Sequence, residues 1–214
     1  MTKNITIGLN IQDIQNAKKY FLNLKKNIPK MQNDILEVVA NFIIERANKY
    51  ISDTDLGSIV KNQLKTSWHH EKTANGIKII NNANVEKKVD NITQTVPIAI
   101  LVEYGVGIVG EQNPHPNAEQ SNYEYNAYSK RKNEDYSWSF WLNSNERDLP
   151  MNAFTDFGTF DDHRQGGKRM VVTTFGAKGV WYAYNALVDT QMEFNNPNGE
   201  LMAAIDKVME RYLK

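Results

Sequence analysis

Four histidines and the carboxylates near them are the residues of this chain best suited to acid–base or metal chemistry. His69 and His70 are adjacent. On a strand they point to opposite faces, and on a helix they stand about 100° apart, so neither setting lets them share a metal simply. His115 lies in the turn Asn113-Pro114-His115-Pro116, and His163 follows Asp161 and Asp162. A metal-dependent nuclease or hydrolase would draw on Asp161, Asp162 and His163. No two of these ligands fall at the i, i+4 spacing of a helical zinc motif, and histidines beside carboxylates are most often at the surface. Glu103 closes an apolar run. It reads either as an acid of raised pKa at the mouth of a cleft or as a structural carboxylate that pairs with a base or accepts backbone N–H groups. No nucleophile, base or second acid can be assigned beside it, which favours the structural reading. No serine lies in Gly-x-Ser-x-Gly. Gly166-Gly167-Lys168 is a turn with a basic end rather than a phosphate loop. The sequence implies no cofactor and no metal.

The elements that must position these residues belong to a chain of 214 residues with 41% hydrophobic and 23% charged residues and no net charge. Those values suit one substantial soluble domain. Neutrality gives no bulk attraction to nucleic acid or membrane. Two basic clusters, Lys130-Arg131-Lys132 and Arg164 with Lys168 and Arg169, are candidate DNA or partner contacts, with solvated loops as the plainer account. The absence of cysteine removes disulfides, thiolate metal sites and a cysteine nucleophile. No apolar run approaches the roughly 20 residues of a membrane span, and the N-terminus lacks a signal-peptide core.

In order along the chain, Ile5, Ile7 and Leu9 alternate as in a short strand. Asn10 and Asp13 then suit a capping box, with Leu9 and Ile14 as its hydrophobic staple. Ile14, Ala17, Phe21, Leu24, Ile28, Met31, Ile35, Val38 and Phe42 recur at steps of three and four. They form one stripe of a long helix, which drifts at its end to Ile43, Ala47 and Tyr50. Pro29 predicts a kink or short break. A helical piece over Ile59–Ser67 follows a turn-rich stretch. Trp68–Lys72 and Gly76–Asn81 read as a hairpin, and Val85–Val96 is mixed. Val96–Val102, apolar apart from Pro97, reads as a buried central strand that runs to Tyr104 and a glycine corner at Gly105.

Residues 111–135 read as a long exposed loop, mobile in the monomer and ordered against a neighbouring subunit. Tyr136, Trp138 and Phe140 alternate as a strand, Leu149–Asp162 is irregular, and Lys168–Phe175 reads as a returning strand. Gly176–Gly179 opens a helix carrying Trp181, Tyr184, Leu187, Val188 and Met192. Asn195–Gly199 breaks it, and a final amphipathic helix runs through Leu201, Ile205 and Val208.

The apolar run closing on Val102-Glu103-Tyr104-Gly105 resembles a signature of the small neck, or tail-completion, proteins of tailed bacteriophages. Leu64-Lys65-Thr66-Ser67-Trp68 is similar to that family's Leu-basic-x-Ser-Trp at the start of its sheet. The preceding Thr-Gly is displaced, because Thr54 and Gly57 are not adjacent. Thr174, Gly176, Tyr184 and Ala186 match the family's Thr-x-Gly and the Tyr-x-Ala of the following helix. The motifs fall in the family's order over about the whole chain.

These readings together give an α+β fold in a single domain, 1–214. A small antiparallel sheet is covered by the long N-terminal helix and the C-terminal helices, and an aromatic-rich insertion spans about 111–162. The resemblance implies a structural virion protein, assembled in the host cytoplasm. It would form a homo-oligomeric ring between the head-closure complex and the tail-tube or tail-terminator proteins, with packaged DNA passing through the lumen and no membrane contact. Tyr123, Tyr125, Tyr128, Tyr136, Trp138, Phe140 and Trp141 are the candidate subunit contacts. Glu103, Tyr104 and Gly105 are the structural corner. A metal-dependent enzyme or a DNA-contacting accessory protein is the alternative.

Overall fold

The fold is seen in a computed structural model that describes residues 11–74, 76–89, 92–125, 138–142, 156–162, 167–174 and 176–213. The expected strand at Ile5–Leu9 and the cap at Asn10 lie outside them. Helix α1 spans Ile11–Ser52 and continues through Pro29 without a break. The proline is exposed, so its ring meets no packed neighbour. Before Ala40, no described side chain of α1 is buried. The core face of the helix is Ala40, Ile43, Ala47 and Ile51, which is the drift at the end of the apolar stripe rather than the stripe itself.

Helix α2, Ser58–Thr66, buries Leu64 against that face. Strands β1, Trp68–Thr73, and β2, Gly76–Asn81, form the expected hairpin, with Trp68 opposite Asn81. The mixed stretch is a second hairpin, β3 at Val85–Val89 and β4 at Ile92–Val96.

The run expected as the central strand is instead helix α3, Ile98–Tyr104. A short apolar run does not distinguish a strand from a buried helix, and the burial pattern shows which period applies. Ala99 and Glu103, four apart, are buried, while Ile100 is exposed. Pro97 precedes the first turn, where a missing N–H costs nothing, and its carbonyl accepts from Leu101 N at 3.2 Å. Gly105 ends the helix at φ 86°, ψ 177°, a region open in practice only to glycine.

Strand β5, Gly105–Val106, follows, then α4, Gly107–Gln112, and α5, Ala118–Ser121. Strands β6, Trp138–Leu142, β7, Asp156–Asp162, and β8, Gly167–Thr174, form a sheet in the order β6-β8-β7. The end of the stretch expected to be irregular is therefore a strand, β7. Residues 176–178, expected to open a helix, are strand β9, Gly176–Lys178, paired with β5. Helix α6 begins later, at Tyr182, and runs to Phe194; α7 spans Glu200–Tyr212.

The architecture is α+β, with small antiparallel sheets, a long N-terminal helix and two C-terminal helices. Its core is mainly helix on helix. Ile43, Ala47, Ile51, Leu64, Ala83, Ala99, Tyr182 and Ala186 form one cluster, with Trp68 and Ile79 of the first hairpin at its side. Helix α7 lies antiparallel along α1. Arg46 Nη2 donates to Glu200 Oε2 at 2.9 Å, and one α7 length later Tyr212 OH donates to Asp34 Oδ2 at 2.8 Å.

Ile51, fully enclosed, and Ile59, two-thirds exposed, make a matched test. Ile51→Ala is expected to lower stability by about 2–5 kcal/mol, and Ile59→Ala by less than about 0.5 kcal/mol, in urea denaturation of the two variants.

Candidate functional site

The site forms where α6 starts without a cap of its own. Its N-cap residue is Trp181, whose indole cannot accept the N–H groups of the first turn, and no side-chain cap is made there. The acceptor comes from α3. Glu103 Oε2 accepts from Ala183 N at 2.9 Å, and Oε1 accepts from Tyr184 N at 3.0 Å. These are the second and third helical positions, the ones an N-cap oxygen normally serves, and the helix dipole there favours a carboxylate. Two backbone bonds lock α3 beside this point, Val180 N to Val102 O at 2.8 Å and Trp181 N to Glu103 O at 3.2 Å. The approach is so close that a Cβ on Gly179 would collide with the Glu103 and Tyr104 backbone. Trp181 takes a left-handed φ of 56°, a strain of about 1–3 kcal/mol for a non-glycine residue. Its buried Nε1 has no hydrogen-bond partner.

His115 completes the arrangement. Its Nε2 lies 3.0 Å from Glu103 Oε1, and both side chains are buried. Its Nδ1 accepts from Asn117 N at 3.0 Å, which assigns the ring proton to Nε2, where it is donated to Glu103. The His115 backbone N donates to Tyr125 OH at 2.8 Å, and Tyr123 OH donates to Gly105 O at 2.7 Å. The Tyr104 ring lies between His115, centroids 4.2 Å apart, and Tyr123, stacked at 4.5 Å. Tyr184 meets His115 edge-on at 5.4 Å, and Tyr125 meets Tyr123 edge-on at 5.0 Å.

Below this cluster the buried Tyr182 OH donates to Ala99 O at 3.0 Å. Burial pushes its pKa above the ordinary tyrosine value, and the Glu103 charge adds to the rise.

Chemically the arrangement is a clasp. A general base must present a lone pair to its substrate. Here both His115 nitrogens and both Glu103 oxygens are engaged within the chain. This matches the structural reading of Glu103, with backbone N–H groups and a histidine as its partners. His115, expected in a turn, is a buried residue, 4% exposed. Residues 111–125, expected as an exposed loop, are mostly exposed but are not all loop. Their helical turns, buried histidine and half-buried tyrosines pack onto the corner within one chain. Sequence composition missed this because the partners are polar atoms 10, 12 and 18 residues away, not aliphatic neighbours.

Tyr123 and Tyr125, named as subunit contacts, join this cluster inside the subunit. Trp138, Phe140 and Trp141 lie on β6, where Phe140 is opposite Val172 of β8. Lys168 and Arg169 lie on β8, opposite Asp161 and Phe160 of β7, and Asp162 is opposite Gly167. Tyr128, Lys130, Arg131, Lys132, Tyr136, His163 and Arg164 lie outside the described residues. His70 and His69 separate as expected for a strand. His70 Nε2 is 2.6 Å from Glu37 Oε2, and His69 is 4.0 Å from Glu71. Hydrogen bonds from Lys72 and then His70 hold the Glu37 carboxyl below its usual pKa. Among the described residues no three histidine or carboxylate side chains converge as a metal site would require, and no helix is long and apolar enough to cross a membrane.

No protein-family model matches the chain, and no curated protein or solved structure matches it at a significant level.

Two outcomes test the clasp. Glu103→Ala strands two helix N–H groups and His115 and is expected to cost about 3–5 kcal/mol, as when one partner of a buried pair is removed. Glu103→Gln keeps one acceptor oxygen but turns N–H₂ towards an N–H, and is expected to cost about 1–3 kcal/mol. Equal, negligible losses in urea denaturation would contradict the clasp.

The second outcome concerns alkaline pH. The folded pKa of Tyr182 is raised, so its contribution is complete below the ordinary tyrosine pKa of about 10 and falls as pH rises above it. A tyrosinate absorbance titration should therefore show one tyrosine that ionises only with unfolding. That component should be missing in Tyr182→Phe.

Proposed function

We propose that this chain is a structural subunit of the neck of a tailed bacteriophage, one copy in a ring that joins the head-closure complex to the tail tube. The observation that carries this reading is the convergence of the segments that resemble the neck family. Glu103, from Val102-Glu103-Tyr104-Gly105, caps the helix that bears Tyr184 and Ala186. Trp68, which ends Leu64-Lys65-Thr66-Ser67-Trp68, packs edge-on against Tyr182 of the same helix, centroids 5.9 Å apart. Leu64 and Ala186 share the core cluster, and Gly105 pairs with Lys178 in the β5–β9 ladder that precedes α6. Residues some 120 positions apart in sequence thus form one continuous unit, as expected if the motifs specify a common fold rather than matching singly by chance. The internal engagement of Glu103 and His115 fits a scaffold role. A ring of identical subunits then needs a heterologous contact that closes on itself.

Negative-stain images of the purified chain, alone and mixed with a head-closure protein, test the proposal. Closed rings of uniform diameter are expected. A chain that stays monomeric in both samples, or that cleaves DNA in a chelator-sensitive way, would overturn it.

A further inference from the structure

Charge is divided along this neutral chain. Residues 14–33 hold five lysines and no acid, and residues 89–129 hold five acids and no lysine or arginine. The lysines, Lys18, Lys19, Lys25, Lys26 and Lys30, are all exposed on α1. At about 100° per residue they lie within about 140° of its circumference, opposite the half-buried Tyr20, Leu24 and Met31. Lys26 and Lys30, one turn apart, repel each other. Helix α7 ends at Tyr212, which reaches α1 at Asp34, so the basic face belongs to an arm that extends about 35 Å further. Of the acids, Glu103 is engaged in the clasp. Glu111, Glu119 and Glu124 are exposed on the lobe of α4 and α5 that the clasp holds. That lobe is folded back on itself. A Cβ on Gly110 would meet the Tyr125 ring at 2.9 Å, and Tyr123 N donates to Ala118 O at 3.1 Å, so the three carboxylates stand on one small body. Lys178 of β9 holds its ammonium over Trp181, 5.7 Å from the ring centroid. Among the described residues, no ion pair joins any of the five lysines or these three glutamates.

We propose that the basic arm of one copy docks on the acidic lobe of the next, head to tail. The two surfaces are held apart within one chain. Helix α1 is unbroken, and its Ile51 shares the buried cluster with Tyr182, the first residue of the helix that Glu103 caps. Lys30 precedes Ile51 by 21 residues, about 32 Å along the helix, and the other four lysines lie further off. The arm and the cluster that carries the lobe thus stand at opposite ends of α1, and the arm of another copy supplies what the lobe lacks. A nucleic acid or an anionic surface would be drawn to the arm, but it would leave the lobe's charge unanswered. A second copy answers both and keeps the assembly neutral. Opposed patches of this kind steer encounter and fix register more than they add affinity, so the contact weakens as salt screens it over about 10 Å at 0.1 M. It is heterologous, because each copy uses one surface and leaves the other for its next neighbour. It would supply the contact that the neck reading needs without resting on that reading.

Two charge reversals in the full-length chain test the contact. Lys19→Glu/Lys26→Glu/Lys30→Glu turns the arm acidic, and Glu111→Lys/Glu119→Lys/Glu124→Lys turns the lobe basic. All six side chains are exposed, so both urea midpoints should match that of dilute wild type. In sedimentation at low salt the wild type is expected to associate. Each variant alone opposes like charges and should associate roughly tenfold to a hundredfold more weakly. An equimolar mixture of the two should recover wild-type association, because every arm then finds a lobe of opposite charge. A mixture no better than either variant alone would overturn the contact. So would a wild type that stays monomeric at low salt, including one whose arm reversal abolishes only salt-sensitive binding of duplex DNA or of anionic vesicles. Should a reversal disturb the fold, the neutral Lys19→Gln/Lys26→Gln/Lys30→Gln variant should reduce the salt dependence of association, and an unchanged dependence would overturn the contact. The neck reading fails separately. Variants that complement each other without closing rings would sink that reading and keep this contact, whereas variants that each still form wild-type rings would do the reverse.

Discussion

The fold depends on one carboxylate serving a helix that begins 79 residues later. The Glu103 oxygens take the second and third N–H groups of α6 and at the same time hold the Nε2 proton of His115. Each of these groups would be costly to bury alone. Two unsatisfied N–H groups and a free carboxylate each lose hydration on folding, and together they satisfy one another. The dipole of α6 places partial positive charge where the carboxylate sits, which favours a carboxylate at that point. The neutral histidine adds a third donor and ties in the turn at residues 113–117. One side chain thus joins α3, the 107–125 segment and the C-terminal helices.

The backbone around the clasp follows from that demand. Gly105 turns the chain at an angle that other residues avoid, and Gly179 lets two backbones touch. Trp181 accepts a strained φ at a helix start it cannot cap. The aromatic rings of Tyr104, Tyr123 and Tyr125 pack beside the polar pair, and two tyrosine hydroxyls hydrogen-bond the backbone of His115 and Gly105. Local strain and close approach are concentrated here, where the surrounding bonds over-determine the geometry.

Much of this was legible in the sequence, and the failures have physical causes. The first hairpin, α2, the long α1 and the break at Asn195–Gly199 follow from alternation, helical spacing and turn residues. The 96–104 run misled because an apolar stretch of seven residues carries no period of its own. The decisive clue was Glu103, four residues after Ala99, facing the same way on a helix. The clasp was half readable. Lys178-Gly179-Val180-Trp181 offers no Ser, Thr, Asp or Asn to cap the helix that follows, and Glu103 was a carboxylate without a partner. Two incomplete groups of opposite need point to each other. His115 gave no such sign, because nothing in its turn shows that the fold brings its ring to Glu103. Helix α1 misled differently: its apolar stripe is real, but the buried cluster takes the neighbouring line of Ile43, Ala47 and Ile51, and the stripe is only half-buried or exposed.

The central claim is that the bonds from Glu103 to α6 are kept as long as the protein stays folded. Native-state hydrogen exchange of the Ala183, Tyr184 and Asn117 amides measures this directly. All three are expected to exchange only through global opening, with the same free energy as the core amides of α1. Exchange of Ala183 and Tyr184 at the rate of a fraying helix end, while the α1 core stays protected, would show that α6 does not depend on Glu103 and would contradict the account.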